Sequence, residues 1–305
     1  MAQTRAGADR IPAASGKTPP VIEVADLTYT YPKAPVPAVR GMAFSVAPGE
    51  VFGFLGPSGA GKSTTQKILT GLLTGAQGTA TVWGRPPAEW GNDYYRRIGV
   101  SFELPNHYQK LTALENLEFF ASLYGGAVED PLALLRRVGL ADAAHTRVGR
   151  FSKGMQTRLT FVRALLHRPE LVFLDEPTSG MDPANARIVK TMITELREQG
   201  RTVFLTTHSM EAAEELCDRV AFVVDGRIAA LDSPEELRLA RSRRTVRVAY
   251  RSADGRLETA EFPLDGMADD PALLALLREH RIESVHSQEA GLDDVFVEVT
   301  GRSIR

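Results

Sequence analysis

Long apolar runs are absent from this sequence of 305 residues. No stretch approaches the roughly 18 to 20 apolar residues that a helix needs to span a bilayer. Nothing near the N-terminus has the hydrophobic region of a signal peptide. We therefore expect the chain to stay on the cytosolic side.

Cysteine and net positive charge are also scarce. Cys217 is the single cysteine, which excludes an internal disulfide and a cysteine-based metal cluster. The formal net charge is -2, so the basic footprint expected of a nucleic-acid-binding domain is missing. We therefore expect no nucleic-acid partner. The hydrophobic content of 43% is ample for a packed core.

The length favours about two domains. Residues 1–20 show no apolar period and are predicted to be a disordered tail. A boundary is predicted near residue 240, at the basic cluster Arg241-Ser-Arg-Arg244, which we interpret as a solvated linker rather than a binding patch. The sequence thus predicts a main domain over 21–240 and a small α+β accessory or regulatory domain over 241–305.

Within 21–240, short apolar strands alternate with segments of helical spacing. This alternation predicts an α/β fold with a mainly parallel, doubly wound sheet. Two strands near 21–46 predict a β-rich subdomain at the entry. The segment of about 104–165 reads as a small helical subdomain.

A glycine-rich loop carries the clearest chemical signal. It joins the apolar run Val51-Phe-Gly-Phe-Leu55 to a segment with helical spacing. In that context its glycines allow backbone N–H groups to converge on a phosphate, and its lysine adds a mobile positive charge. The loop and the start of the helix predict a nucleoside-triphosphate site formed by Gly56, Pro57, Ser58, Gly59, Ala60, Gly61, Lys62, Ser63 and Thr64.

Two further features suit the same site. The short apolar strand Leu171-Val-Phe-Leu174 delivers Asp175 and Glu176 at its carboxyl end, where ligands collect in open α/β sheets. Such an acidic pair can serve a phosphate-bound Mg²⁺ and a water molecule. Tyr29 and Tyr31 have period-2 spacing, and either could stack on a base or lie on a sheet surface.

Five motifs in their order along the chain resemble the nucleotide-binding subunit of an ABC transporter. They are the glycine loop, Phe151-Ser-Lys-Gly-Met155, Leu171–Glu176, Ser179-Gly-Met-Asp182 and His208. The resemblance covers 21 to about 240 and implies the P-loop NTPase fold of an ABC ATPase. The ending Gly291-Leu-Asp-Asp-Val-Phe-Val-Glu-Val-Thr300 also resembles the tail of drug-exporter ATPase subunits of the daunorubicin-resistance type.

The resemblance implies a role for each matching residue. Lys62 would hold the β- and γ-phosphates of ATP, Ser63 would bind Mg²⁺, and Asp175 would steady that ion through water. Glu176 would polarise the attacking water, and His208 would grip the γ-phosphate. Phosphoryl transfer needs mainly positioning and charge stabilisation, which these groups can supply.

The remaining motif residues would act at the adenine and across a dimer. Tyr31 matches the adenine-stacking position. Asp182 would lie in the loop that links two sites. A signature turn would reach the ATP of a second subunit, and it comprises Phe151, Ser152, Lys153, Gly154 and Met155.

Two departures from the family pattern affect chemistry. In the signature turn, Lys153 replaces a glycine and Met155 a glutamine. Glu103 stands where the family usually has a glutamine that touches Mg²⁺. A glutamate can ligate Mg²⁺ but cannot donate an amide hydrogen bond, and its charge would repel the γ-phosphate unless metal or a proton offsets it. The alternative is that Glu103 only shapes its loop.

The sequence therefore predicts an ATPase subunit that binds ATP and Mg²⁺ between two copies and drives a separate polytopic permease from the cytoplasmic face of the membrane. Export of drugs or other hydrophobic small molecules is the family-level expectation, followed by export of lipids, polysaccharides or ions. A soluble ABC ATPase of DNA repair or translation is the alternative, although the chain lacks a coiled-coil insert, zinc cysteines and a second nucleotide site. The presence of Glu176 and His208 opposes a regulatory module without turnover.

Overall fold

The computed structural model describes residues 18–104, 106–241, 245–287 and 290–302. Most of the predicted N-terminal tail, residues 1–17, lies outside these ranges. So do residues 242–244 of the predicted basic linker. Within the described ranges, no helix is long and apolar enough to cross a bilayer.

The strands of the described residues are β1 (Ile22–Tyr29), β2 (Val39–Val46), β3 (Val51–Leu55), β4 (Gln77–Val82), β5 (Ile98–Ser101), β6 (Leu171–Asp175), β7 (Thr202–Thr207), β8 (Arg219–Val224), β9 (Arg227–Asp232), β10 (Thr245–Arg251), β11 (Leu257–Pro263) and β12 (Arg281–Ser287). The helices are α1 (Lys62–Leu69), α2 (Asn92–Arg97), α3 (Ala113–Ser122), α4 (Pro131–Arg137), α5 (Lys153–Leu165), α6 (Pro183–Glu198), α7 (Met210–Leu216), α8 (Pro234–Leu239), α9 (Pro271–Glu279) and α10 (Leu292–Thr300).

A six-stranded sheet forms the centre of the described chain, in the order β5-β6-β7-β3-β8-β9. Its neighbours pair in parallel except for β9, which returns antiparallel from β8. Every residue of β3, β6 and β7 is buried, as expected where both faces of a parallel sheet are covered. The predicted α/β fold is confirmed. The carboxyl ends of β3, β6 and β7 lie side by side, and this edge positions the site.

A second, antiparallel sheet has the order β2-β1-β4. Its side chains join those of the central sheet in a hydrophobic core around Phe44, Phe52 and Phe204. The rings of Phe44 and Phe52 stack at 5.5 Å, and those of Phe52 and Phe204 at 6.0 Å. This aromatic cluster fixes the sheet that precedes the glycine loop against the strand that leads into it.

Helices α3, α4 and α5 lie together in the region predicted to be helical. Thr112 begins α3 through a reciprocal cap with Glu115. The loop before α3 is fixed by buried polar contacts. His107 Nε2 lies 2.8 Å from Thr160 Oγ1 on α5, and burial lowers the pKa of His107 to about 4. Asn116 on α3 accepts from the backbone N–H of Tyr108 at 3.0 Å.

The C-terminal residues contribute to two separate hydrophobic cores. Strands β10, β11 and β12 form an antiparallel sheet in the order β11-β10-β12, with a small core that includes Val248 and Leu273. Helix α10 instead packs on the main domain, where Val295 and Phe296 join the core beneath the central sheet. The rings of Phe296 and Phe222 meet edge to face at 5.2 Å. The sequence placed all these residues in one accessory unit, but α10 joins the hydrophobic core of the main domain.

Replacing Phe296 with alanine should destabilise the main domain. Its side chain is fully buried, and truncating such a phenylalanine typically costs about 3–5 kcal/mol. We expect chemical denaturation followed by far-UV circular dichroism to show this loss. Val297→Ala on the same helix is the matched control, because that side chain is 47% exposed. Equal denaturation midpoints for the two variants would contradict the packing of α10 on the main domain.

Candidate nucleotide-binding site

A cavity of about 420 Å³ opens at the carboxyl edge of the central sheet. Its lining brings together residues from five parts of the sequence. The predicted site residues in this lining are Tyr31, Ser58, Gly59, Gly61, Lys62, Ser63, Thr64, Glu103, Asp175, Glu176 and His208. Ala38 and Ser179 complete it, and sequence reasoning had not assigned either to the site.

The backbone of the glycine loop requires glycine at defined positions. Gly61 has φ +105°, and a Cβ there would lie 2.5 Å from the carbonyl oxygen of Ala38. A Cβ on Gly56 would lie 2.1 Å from the carbonyl oxygen of Val223. The first amides of α1 have no side-chain cap, so they remain available to an anion. The loop therefore forms a cradle that fits a phosphate chain.

Lys62 lies within this cradle. It is 8% exposed, and its Nζ donates to the carbonyl oxygens of Gly56 at 2.6 Å and Pro57 at 3.0 Å. Burial lowers the pKa of the Lys62 ammonium, and the negative charges of Glu176, Asp175 and Glu103 oppose that shift. A buried cation that donates to neutral carbonyl oxygens is suited to receive a more highly charged anion in their place.

Asp175 and Glu176 are oriented by the end of β7. Asp175 accepts a hydrogen bond from the hydroxyl of Thr206, and Glu176 accepts one from Thr207 Oγ1 at 3.2 Å. Sequence reasoning missed both threonines, because no local pattern links the end of β7 to the acidic pair about thirty residues earlier. Glu176 also adopts φ +50°, a conformation that costs a non-glycine residue free energy and clusters at functional sites.

His208 contacts the same carboxylate. Its Nδ1 lies 2.8 Å from Glu176 Oε1, while its side chain is 57% exposed. Glu176 is therefore held from two sides, by a hydroxyl and by an imidazole. This fixes the direction of its carboxylate while leaving it at the cavity wall.

The candidate Mg²⁺ ligands Ser63, Asp175 and Glu103 all line the cavity. Among the described residues, no three histidine, cysteine, aspartate or glutamate side chains form a metal cluster. The oxygen donors of Ser63, Asp175 and Glu103 nevertheless fit Mg²⁺, which is usually bound by one or two carboxylates together with substrate phosphates.

The two tyrosines of the entry segment have different surroundings. Tyr31 lines the cavity, and its hydroxyl lies 3.2 Å from Thr64 Oγ1. Tyr29 is buried in the core, and its ring meets that of Tyr31 edge to face at 5.1 Å. The geometry therefore favours Tyr31 as the residue able to contact a bound base.

The signature turn and Asp182 lie outside this cavity lining. Ser152 caps α5 by accepting from the N–H of Met155, and Asp182 caps α6. The two segments adjoin each other. A Cβ on Gly154 would lie 3.6 Å from the carbonyl oxygen of Gly180, and a Cβ on Gly180 would lie 3.4 Å from Cδ of Lys153. The predicted site residues thus form two separate groups on one chain, one at the cavity and one comprising the signature turn and Asp182.

A glycine cradle at the carboxyl edge of a parallel sheet, with an acidic pair beside it, defines the class of P-loop nucleoside triphosphatases. Within that class, residues 39–179 match the ABC transporter family model. Residues 244–289 match the model of the fluoroquinolone efflux ABC transporter C-terminal domain. The chain belongs to the ATP-binding subunits of ABC transporters, which are ATPases, so the predicted family is confirmed.

Relatives that match nearly the whole chain support the same family assignment. The chain is 69% identical over 284 residues to the fluoroquinolones export ATP-binding protein of Mycobacterium tuberculosis (strain CDC 1551 / Oshkosh), covering 93% of this chain and 94% of that protein. It is 34% identical over 294 residues to the linearmycin resistance ATP-binding protein LnrL of Bacillus subtilis (strain 168), covering 88% and 94%. These relatives give no support to the alternative of a soluble factor in DNA repair or translation.

Solved structures show the same fold. The ATP-binding subunit of an ABC transporter matches with a TM-score of 0.65 at 30% identity, covering 72% of this chain and 92% of that chain. A dimeric post-hydrolysis state of an ATP-binding cassette, bound to ADP and Pi, matches with a TM-score of 0.64 at 25% identity, covering 70% and 98%.

Proposed function

We propose that this chain is the Mg²⁺-dependent motor of a drug exporter. It works as a homodimer on the cytoplasmic face of the membrane and is attached there to a separate polytopic permease. The convergence of Lys62, Asp175, Glu176 and His208 in one cavity carries the proposal. The names of the relatives favour fluoroquinolones or other hydrophobic small molecules as the exported compounds.

The chain's own groups account for ATP binding and turnover. The N–H groups of the glycine loop and the positive end of α1 hold the phosphates, and Lys62 neutralises them. Ser63 and Asp175 would hold Mg²⁺, which when bound supplies further charge neutralisation at the phosphates. Glu176 orients the attacking water and accepts its proton. His208 keeps the Glu176 carboxylate in place and is positioned to contact the γ-phosphate.

A second copy of the chain would complete each site. The signature turn and Asp182 lie outside the cavity of their own chain, yet Ser152 and the N-terminus of α5, whose first turn carries no acidic residue, are suited to an anion. Lys153 adds a positive charge to that helix start. We therefore place the signature turn of one subunit against the ATP held by the other, with Asp182 in the loop between the two sites.

The permease is proposed to dock beside the loop that begins at Glu103. Leu104 is 77% exposed and Tyr108 50% exposed. Their loop is held by the buried His107 and Asn116, and it connects the cavity to the surface directly. Contiguous exposed apolar side chains mark interaction sites. Tyr108 meets the exposed Phe119 edge to face at 5.0 Å, and the exposed Leu72 and Tyr95 line a cavity with Phe120.

Glu103→Gln should change the Mg²⁺ dependence of ATPase activity more than ATP affinity. The substitution removes a charge that faces Lys62 and weakens a candidate Mg²⁺ ligand. We expect the Mg²⁺ concentration for half-maximal activity to rise by roughly two- to tenfold, since a partly exposed charge contributes about 1 kcal/mol. Glu118→Gln, at an exposed position on α3, is the matched control. Equal Mg²⁺ dependence and equal transport coupling would leave Glu103 only a loop-shaping role.

A pull-down tests the proposed partner. The tagged chain is recovered from detergent-solubilised membranes, co-purifying proteins are identified by mass spectrometry, and ATP hydrolysis is measured with and without them. We expect a stoichiometric polytopic protein that raises hydrolysis, followed by ATP-dependent movement of a fluoroquinolone in reconstituted vesicles. Recovery of ribosomal or DNA-associated proteins alone would overturn the transporter assignment.

A further inference from the structure

A hairpin turn connects the C-terminal segment, residues 290–302, to the glycine loop. This turn, Asp225-Gly226, joins β8 to β9. Both residues have positive φ, +49° and +77°, as a tight two-residue hairpin turn requires. The N–H of Gly226 donates to the carbonyl oxygen of Ala60 at 3.0 Å, and a Cβ on Gly61 would lie 3.5 Å from Gly226 Cα. The turn therefore supports the cradle directly.

Arg302, two residues beyond α10, holds the same turn from the other side. Its Nη1 donates to Asp225 Oδ1 at 2.9 Å and its Nη2 lies 2.8 Å from Oδ2. This bidentate geometry fixes direction as well as distance. Arg302 itself is positioned by α10, because its N–H donates to Thr300 Oγ1, which donates in turn to the carbonyl oxygen of Phe296.

The connection is anchored in the hydrophobic core. Phe296 is fully buried and packs on Phe222 of β8, three residues before Asp225. Phe222 pairs with Leu55, the last residue of β3 before the glycine loop. The C-terminal segment therefore contacts two elements next to the glycine loop. Phe296 packs on β8, which pairs with β3, and Arg302 binds the Asp225-Gly226 turn.

We infer that Arg302 is a positioning residue for nucleotide binding, which acts through Asp225 and Gly226 on the glycine loop. This inference rests on the ATP site proposed above. Loss of the ion pair lets the turn move away from Ala60 and loosens the cradle before ATP enters. The effect falls on ATP affinity rather than on the chemical step, since Glu176 and His208 make no contact with the turn among the hydrogen bonds of the described residues.

The test is titration of the purified full chain with a fluorescent ATP analogue and Mg²⁺. Arg302→Gln and Asp225→Asn should each raise Kd by about two- to fivefold, the range set by a half-exposed ion pair. The double variant should bind no more weakly than either single variant. Arg302→Lys should restore only part of the affinity, because an ammonium cannot pair in a bidentate manner, and kcat should stay near the wild-type value. At about 1 M salt, where the Debye length is about 3 Å, wild type and variants should converge.

Arg241→Gln is the matched control. It removes a similarly exposed ion pair, at 3.0 Å to Glu298 on α10, without touching the turn. Unchanged Kd in Arg302→Gln, the same loss in Arg241→Gln, or additive effects in the double variant would overturn the positioning role. A wild-type chain that binds no nucleotide would overturn the proposed function as well, so the two failures are distinguishable.

Discussion

Lys62→Met is expected to weaken ATP binding by about 10²- to 10³-fold and to reduce hydrolysis accordingly. The substitution keeps a side chain of similar length but removes the buried ammonium that we propose to neutralise the phosphates. Truncating one partner of a buried, hydrogen-bonded charge pair typically costs about 2–5 kcal/mol, and each 1.4 kcal/mol is about tenfold. The measurement is a titration with a fluorescent ATP analogue together with a phosphate-release assay.

Lys67→Met is the control for this prediction. It removes a lysine from the same helix at an exposed position, and it should leave ATP affinity and turnover near their wild-type values. Should Lys62→Met bind ATP as tightly as Lys67→Met does, the cradle would not be the phosphate site.

Glu176→Gln is expected to separate binding from hydrolysis. Gln has the same shape, and its amide oxygen can still accept from Thr207, but it cannot take a proton from water. Loss of a general base costs about 10²- to 10⁴-fold in rate, whereas ATP affinity should change little. Because ATP then persists, the ATP-bound dimer should be more stable, which size-exclusion chromatography with ATP can detect.

Glu198→Gln, at an exposed position at the end of α6, is the matched control for a loss of one carboxylate. It should keep full turnover and show no added dimer. Most of the wild-type turnover remaining in Glu176→Gln would remove Glu176 from the role of base.

Local patterns were sufficient to predict much of this molecule. The alternation of apolar strands with helices indicated the parallel sheet, because the spacing of apolar residues within each element is visible in neighbouring positions of the sequence. The glycine loop was predictable for the same reason, since Gly56, Gly61 and Lys62 lie within seven positions of one another. Asp175 and Glu176 followed from the rule that the carboxyl ends of parallel strands share one edge.

Features that depend on distant contacts could not be predicted in this way. The hydroxyls that hold Asp175 and Glu176 come from β7, about thirty residues later. Period-2 spacing could not separate Tyr29 from Tyr31, because the neighbours of each ring come from other elements. The ending around Phe296 was interpretable only as a family tail, since its contact with Phe222 spans 74 positions of sequence.

The packing of α10 also bears on the order in which the molecule can mature during synthesis. Strand β8 emerges from the ribosome well before the residues that cover Phe222. Until translation has passed residue 300, the nascent chain carries an incomplete core beneath its central sheet, with apolar surface of the kind that draws chaperones or promotes aggregation. The ability to bind nucleotide should therefore appear late in translation. Ribosome-bound chains that stop before α10 should bind chaperones, whereas the complete folded protein should not.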